Sequence, residues 1–208
     1  MFRLYRDIDP GEFFVIFGDT AQGGADKNYV QFMSKTKADI PLVFAMNGVA
    51  TEGTPHIRQA LEYIYQKTKV KPVIAIERQN GGVSVMQDLY NANYDGSYTC
   101  YFMRDITTGV PTDKLGWDTN SATRPKMLGE WLTAFNSGLI VIYDKETIEQ
   151  HQTFIVNKNG KPEAAPNTHD DAVMSCAGAW QLYQTEQPPM TKRPTRNTQH
   201  QRLKFHTA

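Results

Sequence analysis

The stretch FFVIFGD, Phe13–Asp19, constrains the fold of this 208-residue chain more than any other. Its apolar residues follow one another without polar alternation, as in a strand built for a core, and the run then stops on Gly18 and a bare carboxylate. A carboxylate brought near others at such a place persists only if a cation or a shared proton neutralises it. The sequence must therefore supply partners for Asp19 from elsewhere.

Strand and helix signals order the rest of the chain. Tyr29–Ser34 reads as a second strand, joined to Phe13–Asp19 through a Gly-rich turn, and Pro41–Asn47 as a third in the same antiparallel meander. GTPHIRQALEYIYQKTK reads as a helix, with Thr54 and Pro55 at its start and Ile57, Ala60, Leu61, Ile64 and Tyr65 on one face. A strand over Val73–Glu77, a helix from Gly82 to about Tyr90 and a strand over Thr99–Met103 follow. RDITTGVPTDKLGWDTNSATRP, polar and broken by Gly and Pro, predicts a surface excursion. Beyond it come a helix over Pro125–Phe135, a strand over Leu139–Ile142, a helix near Glu146–Gln152 and a last helix entered through NTHDD, with Val173, Met174, Ala177 and Trp180 on one face. Three antiparallel strands followed by alternating helices and strands imply an α/β fold: a central mixed sheet flanked by helices on both faces.

Composition narrows the class without deciding it. Acidic and basic residues balance at 22 each, so net charge neither predicts nor excludes a nucleic-acid partner. Cys100 and Cys176 lack any metal-ligand spacing and are expected as reduced core residues. No apolar run approaches the roughly 20 residues of a membrane span, and MFRLYRDIDPGE is too charged for a signal peptide, so a soluble, intracellular protein is expected. From Gln187 onward the chain turns basic and Pro-rich without acids, which divides it into a folded domain over 1–186 and a disordered basic tail over 187–208.

The second strand to end on an acid is Val73–Glu77, and the last helix opens on Asp170-Asp171. Each has a bland reading: turn chemistry for Asp19, helix capping and dipole complementation for the aspartate pair. Glu77 is harder to dismiss, since a glutamate is no turn former. If the three points meet at one sheet edge, their all-oxygen donors suit one or two Mg²⁺ or Mn²⁺ ions, the arrangement that activates water against a phosphodiester.

Four ordered blocks, GDTAQGGADKNYV, IAIERQNGG, GWDTNSATRPKML and HDDAVMSCAGAW, resemble the nuclease domain of the large terminase subunit of tailed bacteriophages over about Phe13 to Trp180. The resemblance implies an RNase H-like (RuvC-like) fold with a central five-stranded mixed sheet. It also implies an endonuclease that cuts concatemeric double-stranded viral DNA during genome packaging, leaving 5′-phosphate and 3′-hydroxyl ends. Its acids map onto Asp19, Glu77 and Asp170/Asp171 as catalytic metal ligands, with Asp171 taken as the nearer of the pair. Asp26 stands as a supporting or turn residue, and His169 as one that orders the carboxylates or caps the helix. Arg78, Asn80 and Gly82 are either phosphate neighbours or a plain turn, while Trp117, Thr119, Asn120, Arg124 and Lys126 offer DNA-backbone donors or a helix-capping loop.

No GxxxxGK[ST] segment occurs, so the ATPase motor of a complete large subunit is missing, and an excised or separately encoded nuclease domain is expected. The implied partners are duplex DNA, the portal protein and the small terminase subunit, and the implied location is the host cytoplasm. A junction resolvase or similar RNase H-like nuclease, and a non-catalytic module docking DNA or portal, remain as alternatives.

Overall fold

Both faces of the strand at 14–19 are covered, which accounts for its unbroken apolar run. In this computed structural model, which describes residues 1–105 and 107–189, the main sheet takes β1 (Phe2–Leu4), β2 (Phe14–Asp19), β3 (Gln22–Ser34), β4 (Asp39–Val49), β5 (Val73–Ile76) and β6 (Thr99–Cys100), in the order β1-β4-β3-β2-β5-β6. The meander β2-β3-β4 is antiparallel, whereas β5 runs parallel to β2 and β6 parallel to β5. Parallel pairing requires crossovers, and α1 (Thr54–Thr68) and α2 (Gly82–Ala92) provide them.

A hairpin of β7 (Phe102–Arg104) and β8 (Pro111–Leu115) leaves the sheet beyond β6 and returns at Gly116–Trp117. There the Trp117 N–H donates to the Ile76 carbonyl at 2.9 Å and the Arg78 N–H to the Trp117 carbonyl at 2.8 Å, so the returning chain takes over as the neighbour of β5. Next come α3 (Thr123–Asn136), β9 (Val141–Ile142) pairing parallel with β4, α4 (Lys145–Gln152), a hairpin of β10 (Phe154–Val156) and β11 (Pro162–Ala164), and α5 (Asp171–Thr185).

Alternate residues of the strands point to opposite layers. Val15, Phe17, Tyr29, Met33 and Ala75 face α3 and α5. Phe14, Ile16, Val30, Phe32, Ile74 and Ile76 face α1 and α2. The face that α1 buries, Ile57, Ala60, Leu61 and Ile64, has the expected helical spacing. Small residues let α5 sink onto the sheet: Ala172, Ser175, Ala177, Gly178 and Ala179 are all buried, and Gly178 lies against the Phe17 ring where a Cβ would not fit.

Several expectations need correction. The sheet has seven strands rather than five, because β1 and β9 both attach along β4. β3 already begins at Gln22, so Gly23 and the residues after it lie within the strand, where its register with β4 shifts between Gln22 and Lys27. The strand expected over Thr99–Met103 divides at Tyr101, and the polar excursion contains β8. Cys100 and Cys176 are free and buried, as expected. No helix among the described residues is long and apolar enough to cross a membrane. Of the basic tail expected over 187–208, residues 190–208 lie outside the described residues.

Candidate active site

Asp19 ends β2, and Glu77 lies one residue beyond β5. Because these strands are parallel neighbours with Gly18 opposite Ile76, and the Glu77 N–H donates to the Gly18 carbonyl at 2.8 Å, the two acids leave the sheet side by side. Asp170 and Asp171 reach the same place from the start of α5, which the Gly178–Phe17 contact holds close to β2. One polar cavity is lined by all four acids together with Asp26, Asn80 and Arg124.

This convergence is electrostatically costly. Burial pushes the Asp19 carboxyl well above the usual carboxylate range, and the charges of Glu77 and Asp171 push it further. Glu77, only 7% exposed, is raised mainly by burial. Burial also lifts Asp171, to about 6, with a smaller push from Asp26 and an opposing hydrogen bond from the Lys27 N–H, 3.3 Å from Asp171 Oδ2. Among the described residues no Lys or Arg side chain forms an ion pair with Asp19, Glu77 or Asp171; Arg124 approaches Asp170 instead, at 3.5 Å. Asp26 Oδ1 is 3.2 Å from His169 Nδ1, and ligand atoms of Asp26, His169 and Asp171 all lie within 4.8 Å of one another. Crowded carboxylate oxygens lacking a basic partner are the donor set of a hard divalent cation.

The remaining candidates divide. Asn80 lines the cavity and, with Gly81, takes a left-handed conformation (φ 50° and 88°) in the turn from β5 to α2. Gly82 packs on the Glu77 carbonyl so closely that a Cβ would overlap it, which locks that turn beneath the acid. Arg78 turns away to donate to the Leu115 carbonyl at 2.6 Å. Asn120 Oδ1 accepts the N–H groups of Ala122 and Thr123 at the start of α3, the capping alternative. Trp117 packs edge-on against Phe17, Thr119 is buried and its carbonyl accepts from Gln79, and Lys126 lies outside the cavity, 3.9 Å from Glu130.

Sequence reasoning missed Lys27, whose backbone touches Asp171, and Gln150, whose side chain reaches the first turn of α5. Lys27 follows Asp26 directly and so lay within a block already singled out. For Gln150 the linear sequence carries no signal, because its role depends on α4 packing beside α5.

No protein-family model matches the sequence, and no curated protein matches it. Solved structures do. The large terminase nuclease from the thermophilic phage G20c superposes with a TM-score of 0.63 at 18% identity, covering 88% of each chain. The same nuclease with bound magnesium gives 0.63 at 16% identity, over 86% of each chain. The human cytomegalovirus terminase nuclease domain, soaked with Mn and bound to an inhibitor, gives 0.57 at 13% identity, over 83% of each chain. At such identities the likeness is one of fold, and it bears out the RNase H-like architecture expected from the sequence blocks.

Proposed function

We propose that this chain is the nuclease domain of a large terminase subunit, a metal-dependent endonuclease that cuts concatemeric double-stranded viral DNA during genome packaging. The observation that carries the reading is the meeting of Asp19, Glu77 and Asp170-Asp171, from two strands and a helix, in one polar cavity where, among the described residues, no Lys or Arg forms an ion pair with Asp19, Glu77 or Asp171. The nuclease domain spans 1–186 on this reading, with the basic segment 187–208 as an arm for DNA. Portal protein and small terminase subunit are its partners in the host cytoplasm.

Asp19, Glu77 and Asp171, with Asp170 beside them, would hold one or two Mg²⁺ or Mn²⁺ ions. When bound, such ions supply Lewis-acid stabilisation of the phosphodiester and a water acidic enough to be a nucleophile near neutral pH. The protein's own contribution is geometric. Parallel β2 and β5 fix the spacing of Asp19 and Glu77, while the N-terminus of α5 brings in the third carboxylate. The imidazole of His169, oriented by Asp26 and close to Asp171, is placed to take a proton. The Arg124 guanidinium, at the cavity wall, can meet the negative charge of a DNA backbone. A water oxygen bonds to phosphorus as the P–O3′ bond breaks, and a proton from solvent on the departing O3′ completes the 5′-phosphate and 3′-hydroxyl ends.

Cleavage of plasmid and linear duplex in Mn²⁺ tests the reading. Asp19→Asn and Glu77→Gln are expected to lower the rate about 100-fold or more while the fold persists, and a chelator to abolish it. Unchanged cutting by either variant would remove the assigned role. A strong preference for four-way junctions over linear duplex would identify a resolvase instead.

A further inference from the structure

Helix α4 lines no part of the acidic cavity, yet two of its side chains, one turn apart, reach the two structures that hold Asp171. Gln150, 9% exposed, accepts the Ala172 N–H on Oε1 at 2.7 Å. That N–H is one of the free donors of the first turn of α5, and Asp170, at the capping position, provides no side-chain hydrogen bond of its own. Glu146, four residues earlier and so on the same face of α4, pairs with Lys27 Nζ at 2.5 Å. Lys27 is the residue whose backbone N–H donates to Asp171 Oδ2. One short helix therefore grips both the peptide after Asp171 and the strand residue that bonds its carboxylate.

α4 is itself well anchored. Its Asp144 cap accepts the Thr147 N–H at 2.8 Å and pairs with Arg3 of β1 at 2.6 Å. Thr147 Oγ1 accepts from Gln31 of β3 at 3.0 Å, and His151 Nε2 accepts the Trp131 indole N–H of α3 at 2.8 Å. The grip on Asp171 is thus referred to the sheet and to α3, not to a loop.

We infer that Gln150 and Glu146 are positioning residues for the metal centre: from α4 they fix the rotamer and depth of Asp171 through the Ala172 and Lys27 amides. This rests on the nuclease reading for its functional meaning. Groups that orient a ligand from outside commonly account for 10- to 100-fold in metal affinity.

The test uses Gln150→Met, which keeps the volume and loses the acceptor, and Gln150→Glu, which keeps the acceptor. Amide hydrogen exchange is read on metal-free protein and Mn²⁺ affinity by calorimetry. Gln150→Met is expected to accelerate exchange at Ala172 and also at Lys27, which Gln150 does not hydrogen-bond, and to weaken Mn²⁺ binding about tenfold. Gln150→Glu should restore both to within about threefold, and in an Asp171→Asn background Gln150→Met should change Mn²⁺ binding no further. A Gln150→Met protein that melts earlier but keeps wild-type Lys27 exchange overturns the inference, as does one with unchanged Mn²⁺ affinity. If wild-type protein binds no Mn²⁺, the nuclease reading falls, and Lys27 exchange alone decides whether α4 positions Asp171.

Discussion

Gly178 of α5 and Phe17 of β2 touch with no space between them for even a methyl group. Phe17 lies two residues before Asp19 and Gly178 seven after Asp171, so this contact sets how near the two acids come. Gly178→Ala should cost about 1–3 kcal/mol through overpacking and Gly178→Val more. Both should weaken Mn²⁺ binding, because the displaced helix carries Asp171 with it. Urea denaturation and calorimetry on the same samples check the pair of effects.

Metal-free protein should lose stability as pH rises toward neutrality. The raised carboxyl of Asp171 makes the folded state bind more protons than the unfolded one between the ordinary range near 4 and about 6. Its contribution is therefore fully present below about pH 4 and disappears as pH climbs through 6. Thermal melts in chelator should show Asp171→Asn gaining on wild type between pH 4 and 7, with Asp19 and Glu77, also raised by burial, keeping part of the slope in the variant. Added Mn²⁺ should reverse the ranking at pH 7.

Arg124 donates to the Pro162 carbonyl at 3.0 Å while its other terminal nitrogen lies 3.5 Å from Asp170. It links β11 to the acids. Arg124→Lys keeps the charge without the two-pronged reach. Exchange should quicken at Glu163 and Ala164 in both Arg124→Lys and Arg124→Ala, whereas only the alanine variant should lower the salt dependence of duplex binding, by about one unit of log–log slope.

Asn120→Ala separates capping from DNA contact. Loss of its bonds to the Ala122 and Thr123 amides should lower stability by about 1 kcal/mol. Duplex affinity and cleavage should stay at wild-type level, measured by fluorescence anisotropy and a nicking assay.

What could be read from the chain follows from how local each signal is. The unbroken apolar runs of β2 and β5, each closed by an acid, and the helical spacing in α1 are properties of neighbouring residues, so the sheet's centre and the places of Asp19 and Glu77 were legible. β1, β10 and β11 have three residues each, too few for any periodicity, and only their partners make them strands. Residues of the GWDTNSATRPKM block read equally as DNA donors or as loop scaffolding. Asn120 and Trp117 are occupied by structural contacts while Arg124 faces the cavity, a division set by tertiary packing. Gln150 was invisible for the same reason.

The outer side of β4 is shared by two unconnected strands: β1 runs against Leu42–Phe44 and β9 against Asp39–Ile40. A long strand left open there would offer its free amides and carbonyls to any passing chain, the usual seed of aggregation. Two small patches from distant parts of the sequence close that seam, so trimming the first four residues would trade a harmless-looking deletion for a self-adhesive border.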